Sequence, residues 1–301
     1  VQIDELRSLI ERHADSERSN AIESVLIARH DDPALEQSMS GSVMAMIAQG
    51  TKRLALGHRV YEYGPGQFLV SSLDMPVSGQ FIGASADEPA LGFGLLLSPP
   101  SIADLLLRSG APMPREGKGT VPSAMVVSDA PEQLVDAAVR LLRLLDSPRD
   151  LAVMAPLIKQ EILWWLIVGD QGAAVRQLGL ADSNLSHIAR AVSWIREHYA
   201  RAFRVEEVAE ISGMSPSAFY RHFQAATAMS PIQFQKQIRL QEARLQLAAG
   251  RSDVTGVGYS VGYDSPAQFS REYRRQFGRP PSWELGSTPS GGLLTGESLK
   301  P

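Results

Sequence analysis

The spacing of apolar positions changes character twice along this chain. Over residues 3–13, Ile3, Leu6, Leu9 and Ile10 recur at three- and four-residue intervals, which predicts a short amphipathic helix. From 21 to 97 short β-branched or aromatic runs take over, at 24–28, 42–48, 52–56, 59–63, 67–71, 77–82 and 91–97. Gly50, Gly57, Gly64-Pro65-Gly66 and Gly83 punctuate them, and closely spaced strands with such turns predict a β-sandwich or small barrel. Pro99 and Pro100 then open a helix reaching Arg108; a Gly/Pro-rich loop, 110–122, separates it from helices at 131–146 and 150–169. The last is apolar at Leu151, Met154, Leu157, Ile158, Ile162 and Trp165, with Val153, Leu163, Trp164 and Leu166 widening the stripe. A helix apolar on more than one face is buried in its own domain or shares a face with another protomer. On the second alternative Leu151, Met154, Ile158, Ile162 and Trp165 are dimerisation residues. Residues 169–182 read as a linker.

The C-terminal third is duplicated. Ser215-Pro216-Ser217-Ala218-Phe219-Tyr220-Arg221-His222-Phe223 aligns with Ser265-Pro266-Ala267-Gln268-Phe269-Ser270-Arg271-Glu272-Tyr273, so that Ser, Pro, aromatic, Arg and aromatic recur in register. Upstream, Val208-Ala209 with Gly213 matches Val257-Gly258 with Gly262, the second turn being one residue longer. Each copy has the parts of a helix-turn-helix: a short helix (205–212; 254–261), a glycine suited to a left-handed C-cap, and a serine N-cap before a proline that opens a second helix. In those second helices Phe219 with Phe223, and Phe269 with Tyr273, stand four residues apart and face the core, so Arg221 and Arg271 between them face away. Outward arginines are either solvated or bonded to a guanine edge or a phosphate; two copies in register favour the latter. Between the copies, 231–249 reads as one helix of about 28 Å, long enough to hold two recognition helices about one DNA turn apart.

These residues resemble the AraC/XylS family of bacterial transcription regulators. The resemblance rests on Val205-x-x-Val208-Ala209-x3-Gly213-Met214-Ser215, on Ile238-Arg239-Leu240-x-x-Ala243, and on Gly262-Tyr263-x5-Phe269-Ser270-x2-Tyr273-Arg274-x3-Gly278-x2-Pro281. It implies base-facing residues Ser217, Tyr220 and Arg221 in the first recognition helix and Ala267, Gln268 and Arg271 in the second, with Arg274 and Arg275 completing the DNA-binding set. Gly258 and Ser260 stand where the family usually has alanine, which predicts a less rigid second unit. Trp283-Glu284 replaces the family's aromatic-Arg pair, which removes a phosphate contact and unsettles the last turn. Residues 20–170, through Gln49-Gly50-x-Lys52-Arg53-x3-Gly57, Tyr63-Gly64-Pro65-Gly66-Gln67 and Asp74-x-Pro76-Val77, resemble the cupin-type N-terminal domain of a subgroup of these regulators. The expected fold is therefore α+β: a cupin-like β-barrel with helices over 1–170, a linker 171–183, an all-α double helix-turn-helix domain over 184–285, and a disordered tail 286–301.

Charge sharpens this picture. The chain of 301 residues has a formal net charge of −4. Residues 1–182 carry 15 Lys/Arg against 23 Asp/Glu, whereas 183–286 carry 13 against 9, the asymmetry expected when one domain meets phosphates. The absence of cysteine excludes disulfides, thiolate metal sites and cysteine nucleophiles, and points to a reducing, cytoplasmic setting. The longest strongly apolar stretch, 162–168, is short of the ~18 residues a membrane span needs. No His-x-His marks a cupin metal centre, and a triad of His30, His58 and Glu62 is disfavoured because His58 follows Gly57 in a hairpin turn. No metal, cofactor or catalytic residue is expected.

A barrel without metal can still be a receptor. Met44, Met46, Phe68, Val70, Phe81 and Phe93 are its candidate lining or, alternatively, ordinary core; Lys52 is either a group for an anionic ligand or an exposed hairpin charge. The function expected is a sequence-specific transcription regulator, an activator in the family pattern, controlled by a small-molecule effector. Its partners are double-stranded DNA, RNA polymerase and a second copy of the chain. The alternatives are a cupin-type enzyme with an appended DNA domain, or a sequestering protein that no longer binds DNA.

Overall fold

The computed structural model describes residues 2–16, 19–109, 123–180, 183–250 and 253–285, so the expected loop 110–122 and tail 286–301 lie outside the described residues. The architecture is α+β, with a sheet-rich N-terminal unit up to Ser186 and a helical unit that begins at His187.

In the first unit, α1 (Gln2–His13) precedes eight strands: β1 (Val25–His30), β2 (Glu36–Met39), β3 (Val43–Gln49), β4 (Thr51–Leu56), β5 (Arg59–Tyr63), β6 (Gln67–Ser71), β7 (Pro76–Ile82) and β8 (Ala90–Leu96). α2 (Pro99–Ser109), β9 (Met125–Asp129), α3 (Glu132–Arg143), α4 (Pro148–Val168) and α5 (Gly172–Leu178) complete it. The strands form two antiparallel sheets, of order β1-β8-β3-β6-β9 and β2-β7-β4-β5. The sheets touch across their inner faces: His30 of β1 stacks on Phe81 of β7, and the Ser40 and Ser71 hydroxyls, 3.0 Å apart, share a hydrogen bond.

The two sheets differ in how they are covered, and that decides which way each side chain points. β4 alternates between buried and open positions, as a strand with one wet face should, and Arg53 pairs with Glu62 of β5 on the outside at 2.9 Å. β3 and β8 are buried along nearly their whole length because α1, α3 and α4 cover the outer face of their sheet. Met44 and Met46 sit opposite Leu95 and Phe93 on β8, and opposite Val70 and Phe68 on β6. All six join the core shared with Leu6, Leu134 and Ile162 of the helices. Hence Met44, Met46, Phe68 and Phe93, expected as barrel lining, belong to the layer between sheet and helices. Alternation separates the faces of a strand but does not say which face looks inward.

The expected linker contains α5, which packs on α2 and α4. The apolar stretch 162–168 is the end of the 21-residue α4, which is apolar and long enough to cross a bilayer by length and composition alone. Ala155, Ile158, Ile162, Leu163, Leu166 and Ile167 on it are instead buried in the core with α3, as in a core helix of a folded domain. Of the five residues expected at a dimer contact, Ile158 and Ile162 are therefore core, Leu151 and Trp165 are half-buried, and Met154 alone is exposed. The open apolar face of α4 carries Val153, Met154, Leu157 and Val168.

The second unit contains α6 (Asn184–Glu197), which starts at the boundary, α7 (Val205–Ile211), α8 (Pro216–Thr227), α9 (Pro231–Ala248), α10 (Val254–Ser260), α11 (Pro266–Phe277) and a closing 3₁₀ turn, Pro281–Glu284. α6 buries Leu185, Ile188, Val192 and Ile195 at helical spacing. α9 starts on a capping box, with the Ser230 hydroxyl accepting from the Gln233 amide and the Gln233 side chain accepting from Ser230 N–H, and Pro231 at its first turn.

Candidate functional site

The duplicated sequence produces duplicated backbone. At the end of α7, Gly213 adopts φ +73°, its N–H donates to the Glu210 carbonyl, and Met214 N–H reaches back to Ala209. At the end of α10, Gly262 adopts φ +91°, its N–H donates to Tyr259, and Tyr263 N–H reaches back to Gly258. Both are Schellman caps, in which a residue with positive φ lets two amides close the last turn of a helix. The following helices then start on Ser215 and Ser265, whose hydroxyls accept from the Ala218 and Gln268 amides. Helix, left-handed glycine, serine cap and second helix thus recur as three-dimensional objects.

Each recognition helix is anchored by its aromatics. Phe219 and Phe223 of α8 are fully buried, their rings 5.3 Å apart, and Phe223 meets Phe234 of α9 edge-on. Phe269 and Tyr273 of α11 are likewise buried, in a cluster with Leu240, Ala243 and Leu247 of α9 and Val257 and Val261 of α10. The opposite faces are open: Ser217, Tyr220 and Arg221 on α8, and Ala267, Arg271, Arg274 and Arg275 on α11, are exposed. None of these four arginines has an ion-pair partner among the described residues. Arginines held on a rigid helix face and left without internal acids are free to meet an external anion or base edge.

Gln268 differs from the rest of its set. It is half-buried and its amide donates to Glu272 at 3.1 Å, where Lys236 of α9 and the Tyr263 hydroxyl also converge at 2.9 and 3.0 Å. Burial raises the Glu272 carboxyl, but the Lys236, Gln268 and Tyr263 hydrogen bonds outweigh it and leave the group below its ordinary range. Glu272 therefore stays ionised, bracing α11 against α9.

Arg239 is the structural residue whose role the sequence did not reveal. Its guanidinium donates to the carbonyls of Tyr199 (2.7 Å), Ala200 (3.2 Å) and Gly262 (2.7 Å). It thereby ties the segment after α6 to the cap of α10, while Gln235, one turn earlier, donates to Tyr199 and Arg201. One expectation, about the last turn, is corrected nearby, and the residues at the two alanine positions have local partners. Gly258 is a point of close packing, since a Cβ there would lie 3.0 Å from the Phe269 ring, and Ser260 donates to the Gln246 side chain at 2.8 Å. The last turn is formed: Glu284 is buried and pairs with Arg279 at 2.9 Å and Arg244 at 3.3 Å.

In the first unit, Lys52 is 2% exposed. Its ammonium lies 4.8 Å from the Phe81 ring centroid, so it is interior and not a hairpin charge. Of the expected effector residues only Lys52 and Phe81 meet on the face between the sheets; Met44, Met46, Phe68 and Phe93 lie together in the layer beneath the helices. His30, stacked on Phe81 at 4.4 Å, is held to a pKa of about 4 by burial and by the Lys52 charge, and is neutral at pH 7. His58 stands in the two-residue turn between β4 and β5, after Gly57 at φ +59°. No group of three or more His, Asp or Glu able to hold a metal occurs among the described residues.

Two families match the chain: "AraC-type transcriptional regulator N-terminus" over residues 21–174 and "Helix-turn-helix domain" over 208–283. The HTH-type transcriptional activator RhaS of Escherichia fergusonii is 26% identical over 175 residues, covering 56% of this chain and 59% of that protein. RhaS of Klebsiella pneumoniae is 26% identical over 168 residues, covering 55% and 58%. The chain thus spans somewhat under two thirds of the curated relatives it matches. Vibrio cholerae ToxT, solved with (E)-4-(8-methylnaphthalen-1-yl)but-3-enoic acid bound, superposes with a TM-score of 0.53 at 11% identity, over 87% of this chain and 98% of that one. That likeness is one of fold.

Proposed function

This chain belongs to the AraC-type transcription regulators, and from that membership we propose that it is a sequence-specific DNA-binding activator whose N-terminal sheet unit receives a small-molecule effector. The observation that carries the DNA reading is the repeated motif: two helices with the same caps, the same buried aromatic pair and an outward arginine at the same place, Arg221 and Arg271. In this reading Ser217, Tyr220, Arg221, Ala267, Gln268 and Arg271 face bases in two major grooves. Arg274 and Arg275, beside the α11 C-terminus, meet phosphates. The protein works in the cytoplasm, as a homodimer, and RNA polymerase is the partner on which an activator acts.

The effector changes DNA affinity by binding one domain or dimer arrangement better than another; a tenfold change requires only about 1.4 kcal/mol of differential binding. Selection of bound duplexes from a random library tests the DNA reading, and the absence of any enriched sequence would refute it.

Dimerisation is assigned to the open face of α4, where Val153, Met154 and Leu157 lie together. Leu157→Glu, at a position 55% exposed, should leave the fold intact and convert dimer to monomer in sedimentation equilibrium. Affinity for a two-half-site operator should fall tenfold or more, because the second reader no longer acts at high effective concentration. An unchanged dimer would move the contact elsewhere.

A further inference from the structure

A glutamine that reads a base must present its amide the right way round, because the oxygen accepts and the nitrogen donates. On α11 that orientation is decided inside the protein. Gln268 stands in the first turn of the helix, where its backbone N–H donates to the Ser265 cap. It shares a stripe with Arg271 and Arg275, three and seven positions on, at the edge of the open face. On its inner side is Glu272, whose Oε1 accepts from the Gln268 Nε2 at 3.1 Å and from Lys236 at 2.9 Å. The Tyr263 hydroxyl donates to Oε2 at 3.0 Å, so the carboxylate is held from α9 and from the end of α10 as well. An ionised carboxylate offers acceptors only, and the Gln268 nitrogen must therefore face it. No other hydrogen bond among the described residues engages the Gln268 side chain. Ala218 and His222 occupy the matching positions of the first motif, so the arrangement belongs to the second reader alone.

We propose that Glu272 is a positioning residue that fixes the Gln268 amide for one adenine of the DNA site, with Oε1 accepting from adenine N6 and the second Nε2 hydrogen donating to N7. Adenine shows that donor beside an acceptor in the major groove, whereas guanine shows two acceptors and repels the Gln268 oxygen, and cytosine offers only its N4 donor. A glutamine free to flip would also meet guanine, by its nitrogen. The first turn suits this role, because N-terminal residues of a recognition helix meet base edges. The assignment rests on the DNA reading above and adds the base that the second helix selects and the group that enforces the choice.

The test is selection from a random duplex library by the full chain and by Gln268→Ala, followed by fluorescence anisotropy on the selected site. One position in the half that Arg271→Ala weakens should prefer adenine by roughly fivefold to a hundredfold for the wild-type chain, and should accept any base for Gln268→Ala. 7-Deaza-adenine there, which lacks the N7 acceptor, should weaken the wild type several-fold and Gln268→Ala not at all. Glu272→Met, which keeps the length and removes the acceptors, should lose the adenine preference and still bind scrambled duplex. Glu272→Gln should keep the preference, because Lys236 only donates and draws the new amide oxygen to the same side. Should the stranded Tyr263 hydroxyl prevent Glu272→Met from folding, Glu272→Met combined with Tyr263→Phe takes its place. A preference that survives Glu272→Met, an equal loss on specific and scrambled duplex, or a loss as complete in Glu272→Gln would overturn the positioning role. Unaltered base preferences in Gln268→Ala would overturn the whole inference and leave the DNA reading standing; a wild-type chain that enriches no sequence refutes that reading and this inference with it.

Discussion

Gly262→Ala should destabilise the helical unit by about 2–5 kcal/mol, the largest stability effect expected of any single substitution considered. The residue sits at φ +91°, where an L side chain is strained by about 1–2 kcal/mol. A Cβ built there would lie 2.1 Å from the Ala200 carbonyl oxygen. That oxygen cannot easily retreat, because Arg239 grips it together with the carbonyls of Tyr199 and Gly262 itself. Overpacking of this kind adds about 1–3 kcal/mol. The equivalent glycine of the first motif provides the internal control. Gly213 also has positive φ, at +73°, but a Cβ there would meet the His187 ring at 3.4 Å and the Arg190 guanidinium at 3.7 Å, both ordinary contacts. Gly213→Ala should therefore cost about 1–2 kcal/mol, the backbone strain alone. Urea unfolding of both variants, followed by far-ultraviolet circular dichroism, checks the difference. Equal losses would show that the contact with Ala200 has no energetic weight.

The second large effect is on DNA. Arg221→Ala and Arg271→Ala should each remove about 1–3 kcal/mol of specific binding, between roughly fivefold and a hundredfold, while affinity for unrelated duplex falls much less. Arg274→Ala and Arg275→Ala should weaken all sequences alike and lower the slope of log affinity against log salt by about one each. Fluorescence anisotropy on a selected site and on scrambled duplex, at several salt concentrations, separates the two behaviours. A uniform loss on Arg221→Ala or Arg271→Ala would make that arginine a phosphate clamp.

The reader was more legible in the sequence than the sensor, for a physical reason. Turn chemistry is local: Gly213 and Gly262 announce positive φ, Ser215 and Ser265 announce caps, and aromatics four residues apart announce a buried face, so both motifs could be placed from residues alone. Facing is not local. Met44, Met46, Phe68 and Phe93 alternate as barrel lining would, yet they point outward because helices cover that sheet. Lys52 looked like a hairpin charge, but the two inward positions opposite it, Tyr63 and Phe81, come from strands whose pairing no single segment encodes.

The same limit applies to α4, whose apolar residues encircle it. Its core members Ile158 and Ile162 could not be told from open Val153 and Leu157 until α3 and the sheet were in place. α6 carries its signal only in the helical period of Leu185, Ile188, Val192 and Ile195, without the glycine and serine punctuation that marks the two motifs. Glu284 looked like the loss of a phosphate contact because its partners Arg244 and Arg279 approach it only in the folded unit.

Hydroxyl-radical footprinting of the full chain on a duplex selected from a random library tests the account most directly. Paired recognition helices joined by α9 predict two protected patches per reader on one face of the DNA, about one helical turn or roughly 10 base pairs apart. Arg221→Ala should weaken one patch and Arg271→Ala the other. A single patch insensitive to one of the two arginines, or protection with no preference over scrambled duplex, would contradict it.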